Sequence, residues 1–359
     1  MTMIKDAVNA FCSPVIIFTA SMVCFYLFVR FPRQATSMAV SLPLLGLALA
    51  GFAFGLTDDH FRKIITTPDN VPIVGMLFIF LYFTWYAVRK GVINDQRMER
   101  GESTIEQTET NEKVLVFPYL IFIEFVMALA YAIVLVVWSI FLKAPLEEPA
   151  NPTISPNPSK APWYFLGLQE LLVYFDPWIA GVLLPTFIII GLCAIPYIDR
   201  DTDGSGYFSF KKRRAVISTY LFGFWILWVL LIVIGTFMRG PNWNFFGPFE
   251  KWDIHKTVPL LNINLSEIIF IKWLGIGLPK LWIVRELPGI LLTLGYFMVP
   301  PAILAKTKLK SAYQKLGPVR YAVLMMLLLV MVSVPIKMYL RWAFNLKYIV
   351  AIPEFFFNI

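Results

Sequence analysis

Eight apolar stretches dictate what this chain can become: residues 14–29, 37–56, 72–88, 117–142, 179–195, 215–238, 287–305 and 319–339. A helical crossing of the bilayer core takes about 17 to 25 apolar residues, because every backbone polar group inside lipid must be satisfied within its own segment. The class that follows is an all-α integral membrane protein with about eight transmembrane helices. A composition of 58% hydrophobic and 15% charged residues, with a mean hydropathy of +0.69, excludes an ordinary soluble domain. The stretch 265–282 is different in kind. Its Lys272, Gly275, Gly277 and Pro279 favour a surface or re-entrant segment over a ninth span. The first span is preceded only by Lys5 and lacks a small-residue cleavage pattern, so it is expected to be an uncleaved helix rather than a signal peptide.

Charge orients the spans. The linkers 30–36, 89–113, 198–214 and 306–320 alternate along the chain and hold 17 of its 31 Lys and Arg residues. Basic loops stay on the cytoplasmic, n side of a membrane. Both termini, the loop before residue 163 and the connection 239–285 are then expected on the opposite, p side. The net charge of +8 is therefore a topology signal, and a nucleic-acid partner is not expected.

The segment 145–196 carries the most specific pattern. Its first part, through Pro162, is too rich in proline for helix, since each Pro lacks a donor and disfavours helix in the residue before it. Over 163–174, Trp163, Gly167, Glu170 and Tyr174 recur at spacings of four, three and four, which places an acid and two aromatics on one stripe of a short amphipathic p-side helix. A structured loop and a surface-lying helix beside the span 179–195 predict a pocket at the bilayer edge.

The order of span, Pro-rich loop with Glu-Pro-Ala-Asn-Pro at 148–152, Trp-Tyr-Phe-Leu at 163–166, amphipathic helix and apolar helix resembles the C-terminal half of cytochrome b. In split forms that half is a separate chain, similar to subunit IV of b/f-type complexes. The resemblance covers 113–239, and the two later helices more loosely; the three N-terminal spans lie outside it. In the family the quinol-oxidation motif is Pro-Glu-Trp-Tyr. This chain has Ala161-Pro162-Trp163-Tyr164, so the acid expected to receive a quinol proton is missing from its usual place.

The resemblance implies a subunit of a quinol-oxidising Rieske/cytochrome b complex in an energy-transducing membrane, the inner membrane of a bacterium. One electron would pass to a Rieske iron–sulfur protein and on to a c-type cytochrome, the other to b haems on a cytochrome b N-terminal-type companion, in a dimeric complex surrounded by lipid. This chain would contribute a wall of the quinol pocket and no haem ligands. A two-haem bundle takes four axial histidines on facing helices, and only His60 and His255 are present, both in p-side loops. Cys12, Cys24 and Cys193 show no paired spacing, so no metal or cluster site is expected.

The candidate quinone-contacting residues are Pro162, Trp163, Tyr164, Leu166 and Tyr174, with Glu170 as candidate proton acceptor. Glu147, Glu148 and Asp176 are lower-ranked acids, and a loop that serves only as scaffold is the third reading. Glu124, inside the fourth span, is either part of an n-side quinone site or a headgroup-level carboxyl paired with a partner's cation. The chain divides into a three-helix module (1–90), a flexible polar linker (91–113), a subunit IV-like module (114–240), a p-side loop (241–285) and two C-terminal spans (286–359). A transporter subunit or a purely structural anchor is the alternative, but no internal repeat is evident.

Overall fold

The computed structural model describes residues 2–109, 115–142 and 149–359. Its long helices are α1 (Thr2–Phe11), α2 (Pro14–Arg30), α3 (Met38–Leu56), α4 (Asn70–Glu99), α5 (Val116–Phe141), α7 (Ile179–Ile198), α8 (Arg214–Met238), α9 (Trp282–Lys306) and α10 (Lys310–Phe344), with the short α6 (Leu166–Leu171) between α5 and α7. Seven are long and apolar enough to span a membrane, and an eighth span results if α1 and α2, bent by 71° at Ser13-Pro14, count as one. Proline suits the first turn of α2, where its missing N–H would have no helical partner. A two-residue antiparallel hairpin, β1 (Ala351–Ile352) with β2 (Phe357–Asn358), is the only regular sheet among the described residues.

Polar contacts sort the loops into two faces. On one face Arg33 pairs with Glu99, Lys211 reaches Glu99, and Arg214 donates to the Val29 carbonyl. Three of the basic linkers thus meet. On the other face Lys5 pairs with Asp58, the Phe249 N–H donates to Asn9, and Trp178 donates to the Asn358 carbonyl.

Two expectations are corrected. The stretch 91–113 was expected as a flexible linker, yet α4 continues through Glu99, and the 105–109 segment is also helical. The cause is a set of buried polar groups. Asp95 accepts from the Ser209 hydroxyl (2.7 Å) and the Lys211 N–H (2.8 Å), while Asn94 donates to the Phe208 carbonyl (2.9 Å) and accepts from the Ile105 N–H (2.9 Å). Residues 110–113 lie outside the described residues. The amphipathic helix is also shorter than expected: a 3-10 turn at Trp163–Phe165 leads into α6, and the chain leaves the helix at Leu172 before Asp176-Pro177. Within 265–282 only the single turn Leu265–Glu267 and the wide turn Ile268–Trp273 form, too short to cross a bilayer.

The core lies between α2, α6, α7, α8 and α10. Phe18, Tyr174, Leu231, Ile234 and Met338 are all buried there. Phe18 meets Tyr339 and Trp342 edge-on, at 5.8 and 5.6 Å between ring centroids. Residues 1–90 and 114–240 therefore share one core. No part of α5 is buried, which leaves it to lipid or to another chain.

Candidate functional site

The site is built where α6 crosses the end of α8. Gly167 permits the approach, because a Cβ there would stand 3.3 Å from the Trp228 carbonyl oxygen, and a Cβ at Gly235 would stand 3.1 Å from that of Leu166. Small residues at both contact points let two backbones meet. Trp228 donates from Nε1 to the Tyr164 carbonyl (3.2 Å), and its ring lies 6.3 Å from that of Trp163. Tyr164 and Phe165, with rings 4.6 Å apart, point outward and are about half exposed.

Beneath them sits a buried ion pair. Arg239, the first residue after α8, donates from Nε to Glu170 Oε2 (2.8 Å) and from Nη2 to Oε1 (2.6 Å), a two-pronged arrangement that fixes both groups. Its Nη1 donates to the Trp243 carbonyl (2.9 Å), and the Tyr174 hydroxyl lies 3.4 Å from Oε1. Glu170 is 0% exposed. Burial alone would lower the pKa of Arg239; the charge and hydrogen bonds of Glu170 outweigh it and hold the guanidinium above its ordinary value. Burial, reinforced by Glu170, pushes the Tyr174 hydroxyl up, so it stays a neutral donor.

Arg239 thereby anchors the turn that follows it. Asn242 and Trp243 adopt left-handed backbone, at φ of 58° and 56°, a conformation costly for residues with side chains and sustained only by surrounding contacts. Asn157 provides them: its Oδ1 accepts from the Asn242 N–H (2.6 Å) and its Nδ2 donates to Asn242 Oδ1 (2.9 Å). Gln169 of α6 ties down the same Pro-rich loop, accepting from the Ala161 N–H and donating to the Ser159 carbonyl, both at 2.8 Å. Lys160 donates to the Thr236 carbonyl (2.7 Å) with its ammonium 4.8 Å from the Trp252 ring centroid, and burial pushes its pKa down to about 8. Loop, α6 and turn enclose an open groove of about 370 Å³ lined by Asn157, Ser159, Gln169, Leu172, Asn242 and Trp243, among others.

The residues singled out from sequence divide accordingly. Pro162 and Tyr164 are exposed and Trp163 half-buried, beside the groove-forming loop. Leu166, Glu170 and Tyr174 are corrected: all three are buried in the chain's own core, Leu166 and Glu170 on the face α6 turns toward α8 and Tyr174, in the turn after α6, against Trp342 of α10. Asp176 accepts from Tyr348 and Asn358 and so braces the C-terminal segment. Glu147 and Glu148 lie outside the described residues. Glu124 is exposed on α5 and has no partner among the described residues. Sequence reasoning missed Arg239, Asn157, Gln169 and Asn242. A cation closing a span on the cation-poor face was the available signal for Arg239; the amides gave none.

The histidines do not fit a haem. His60 packs edge-on against Trp252 at 6.0 Å with its Nε2 buried and without a hydrogen-bond partner among the described residues, and His255 is exposed in a loop. Neither sits on a spanning helix, so a b haem would have no pair of facing ligands here.

Residues 149–250 match the family described as Cytochrome b(C-terminal)/b6/petD. The match begins later and ends later than the 113–239 expected, so α5 lies outside it and the loop through Phe249 lies inside. No solved structure matches the chain significantly.

Proposed function

Residues 149–250 being a cytochrome b C-terminal/b6/petD domain, we propose that this multi-pass chain supplies one wall of the quinol-oxidation site of a Rieske/cytochrome b complex. The observation that carries the reading is the groove between the Pro-rich loop, α6 and the Asn242-Trp243 turn, with Tyr164 and Phe165 exposed on the same loop–helix junction. An apolar quinol ring stacks on aromatic surface, and its hydroxyls need polar partners at the edge of the bilayer. Trp163 and Tyr164, with Pro162 before them, form an apolar wall next to the groove in this reading, and the amides of Asn157, Gln169 and Asn242 shape its polar side.

Oxidation of the quinol releases two electrons and two protons. The electrons go to an iron–sulfur cluster and a b haem held by companion chains; the protons leave on the p side, the face opposite the basic linkers. Glu170 holds the wall in place through Arg239, and the proton passes to a group outside its ion pair. Glu124, alone on the bare helix α5, faces a companion chain and not a pocket of this one.

The test is the intact complex purified through a tag on this chain. Tyr164→Ala is expected to raise the KM for quinol about three- to tenfold, the value of an aromatic contact, with haem content unchanged. Absence of b haem and Rieske protein from the purified complex, or unaltered kinetics in Tyr164→Ala, would refute the assignment.

A further inference from the structure

The fourth basic linker behaves unlike the other three. Between α9 and the span portion of α10, residues 306–320 carry Lys306, Lys308, Lys310, Lys315 and Arg320 and contain no acid. Elsewhere on this face most cations are neutralised within the chain. Arg33 pairs with Glu99, Lys90 with Glu106, Arg100 with Glu102, Lys212 with Asp203 and Arg213 with Asp199. None of the five cations of 306–320 makes an ion pair or hydrogen bond among the described residues. The positive-inside rule accounts for the sign of these charges but not for their lack of partners.

The local backbone arranges them as a surface. Gly317, at φ of 76°, breaks α10, so 310–316 forms a short helical arm before the span begins at Pro318. Leu309, Ala312 and Leu316, at spacings of three and four, are the half-buried stripe of this arm; Lys308, Lys310, Gln314 and Lys315 are exposed. Tyr313 is partly exposed beside them and meets Tyr321 edge-on at 5.2 Å, the position of an aromatic at a membrane–water boundary. Lys306 ends α9 directly, and Pro318 starts the next span within a few residues of the last lysine. Two flanking spans therefore hold the charged face at the level of the lipid headgroups.

We infer that the 306–320 connection is a docking surface for the headgroups of anionic phospholipids, whose phosphates supply the counter-charge the chain itself does not. Each Lys or Arg near an anionic bilayer surface contributes roughly a fivefold preference. The inference does not depend on the quinol reading, because it rests on charge and membrane level alone.

The experiment uses the full chain in phosphatidylcholine nanodiscs with spin-labelled phosphatidylglycerol as the probe, reading the association constant of the motionally restricted lipid relative to spin-labelled phosphatidylcholine. The expected result is a phosphatidylglycerol preference that falls about fivefold in Lys308→Gln and again in Lys315→Gln. It is kept when both positions are Arg and is unaltered by Lys211→Gln, a cation that already faces Glu99. Single substitutions leave most of the loop's positive charge in place, so insertion is preserved. Equal restriction of both lipids, or a preference indifferent to Lys308 and Lys315, would overturn the inference. So would displacement of the probe by excess inorganic phosphate, which would mark a soluble-anion site, or loss of a co-purifying protein from the Gln variants with lipid selectivity intact.

Discussion

Replacing Arg239 by Gln should be among the most damaging single changes in this chain. The side chain makes three charge-assisted hydrogen bonds, two to Glu170 and one to the Trp243 carbonyl. Without it, Glu170 keeps only the long contact to Tyr174 in a site with no solvent access. Removing one partner of such a pair costs about 3 to 5 kcal/mol, because the remaining charge is left buried and uncompensated. Glu170→Gln strands the guanidinium in the same way. The double variant Glu170→Gln/Arg239→Gln leaves two neutral amides that can bond to each other, so its cost should be well below the sum of the single costs, with a coupling of about 2 kcal/mol or more. Unfolding of the full chain in mixed micelles by SDS, followed by tryptophan fluorescence, measures all three. If the proposed quinol-site role holds, both single variants should depress quinol oxidation in the intact complex by similar factors at every pH, since both loosen the anchored loop and turn. An Arg239→Gln cost under about 1 kcal/mol, or strict additivity, would refute the ion pair as the anchor. A pH limb abolished in Glu170→Gln but kept in Arg239→Gln would return Glu170 to the role of proton acceptor.

Lys160 should make the docking of the Pro-rich loop depend on alkaline pH. Its folded pKa, about 8, lies below the ordinary 10.5, so the stabilisation is fully present above 10.5 and is lost as pH falls through 8, a difference of up to about 3 kcal/mol. Lys160→Met should flatten that dependence, as read from protease cleavage of the loop between pH 7 and about pH 10.5. Burial also holds His60 below its ordinary value of 6.5, so its contacts contribute fully above 6.5 and weaken on acidification. The fluorescence of Trp252 should therefore change below pH 6.5 in the native chain and not in His60→Phe. A Cβ at Gly289 would collide with the Ile349 carbonyl, so Gly289→Ala should release the C-terminal segment and lower thermal stability, while Gly295→Ala, where space is open, should not. Asp95→Ala removes the acceptor for Ser209 and Lys211; we expect faster hydrogen exchange over 208–211, by roughly tenfold or more for a buried charged acceptor.

The membrane class and the long apolar helices were legible in the sequence because hydropathy acts through segment length, which needs no knowledge of neighbours. The boundary of α4 was not. Arg97, Glu99 and Arg100 read as solvent-exposed linker, and only the pairing of Asn94 and Asp95 with residues more than a hundred positions away makes helix the better state there. Of the stripe Trp163, Gly167, Glu170 and Tyr174, only Gly167 and Glu170 lie within α6, where 3.6 residues per turn puts them on one face; Trp163 belongs to the preceding 3-10 turn and Tyr174 follows the helix. What that face meets is not local. Helical spacing is the same for a residue lining a pocket and one sealed against α8, and the Arg that decides the fate of Glu170 lies 69 residues further on. The amide clamps of Asn157 and Gln169 were illegible for the same reason, as each bonds to backbone or side chains brought near only by the fold.

Phe18 and Thr19, on α2, close against Tyr339 and Trp342 on α10, the Thr19 and Tyr339 hydroxyls standing 2.8 Å apart. Synthesis is vectorial, so α2 enters the bilayer well before α10 and must wait, with its inward ring facing lipid, until the ribosome has delivered that later helix. A nascent chain halted ahead of α10 would hold the spans that precede it and still be open along that seam, exposed to whatever quality-control protease patrols the membrane.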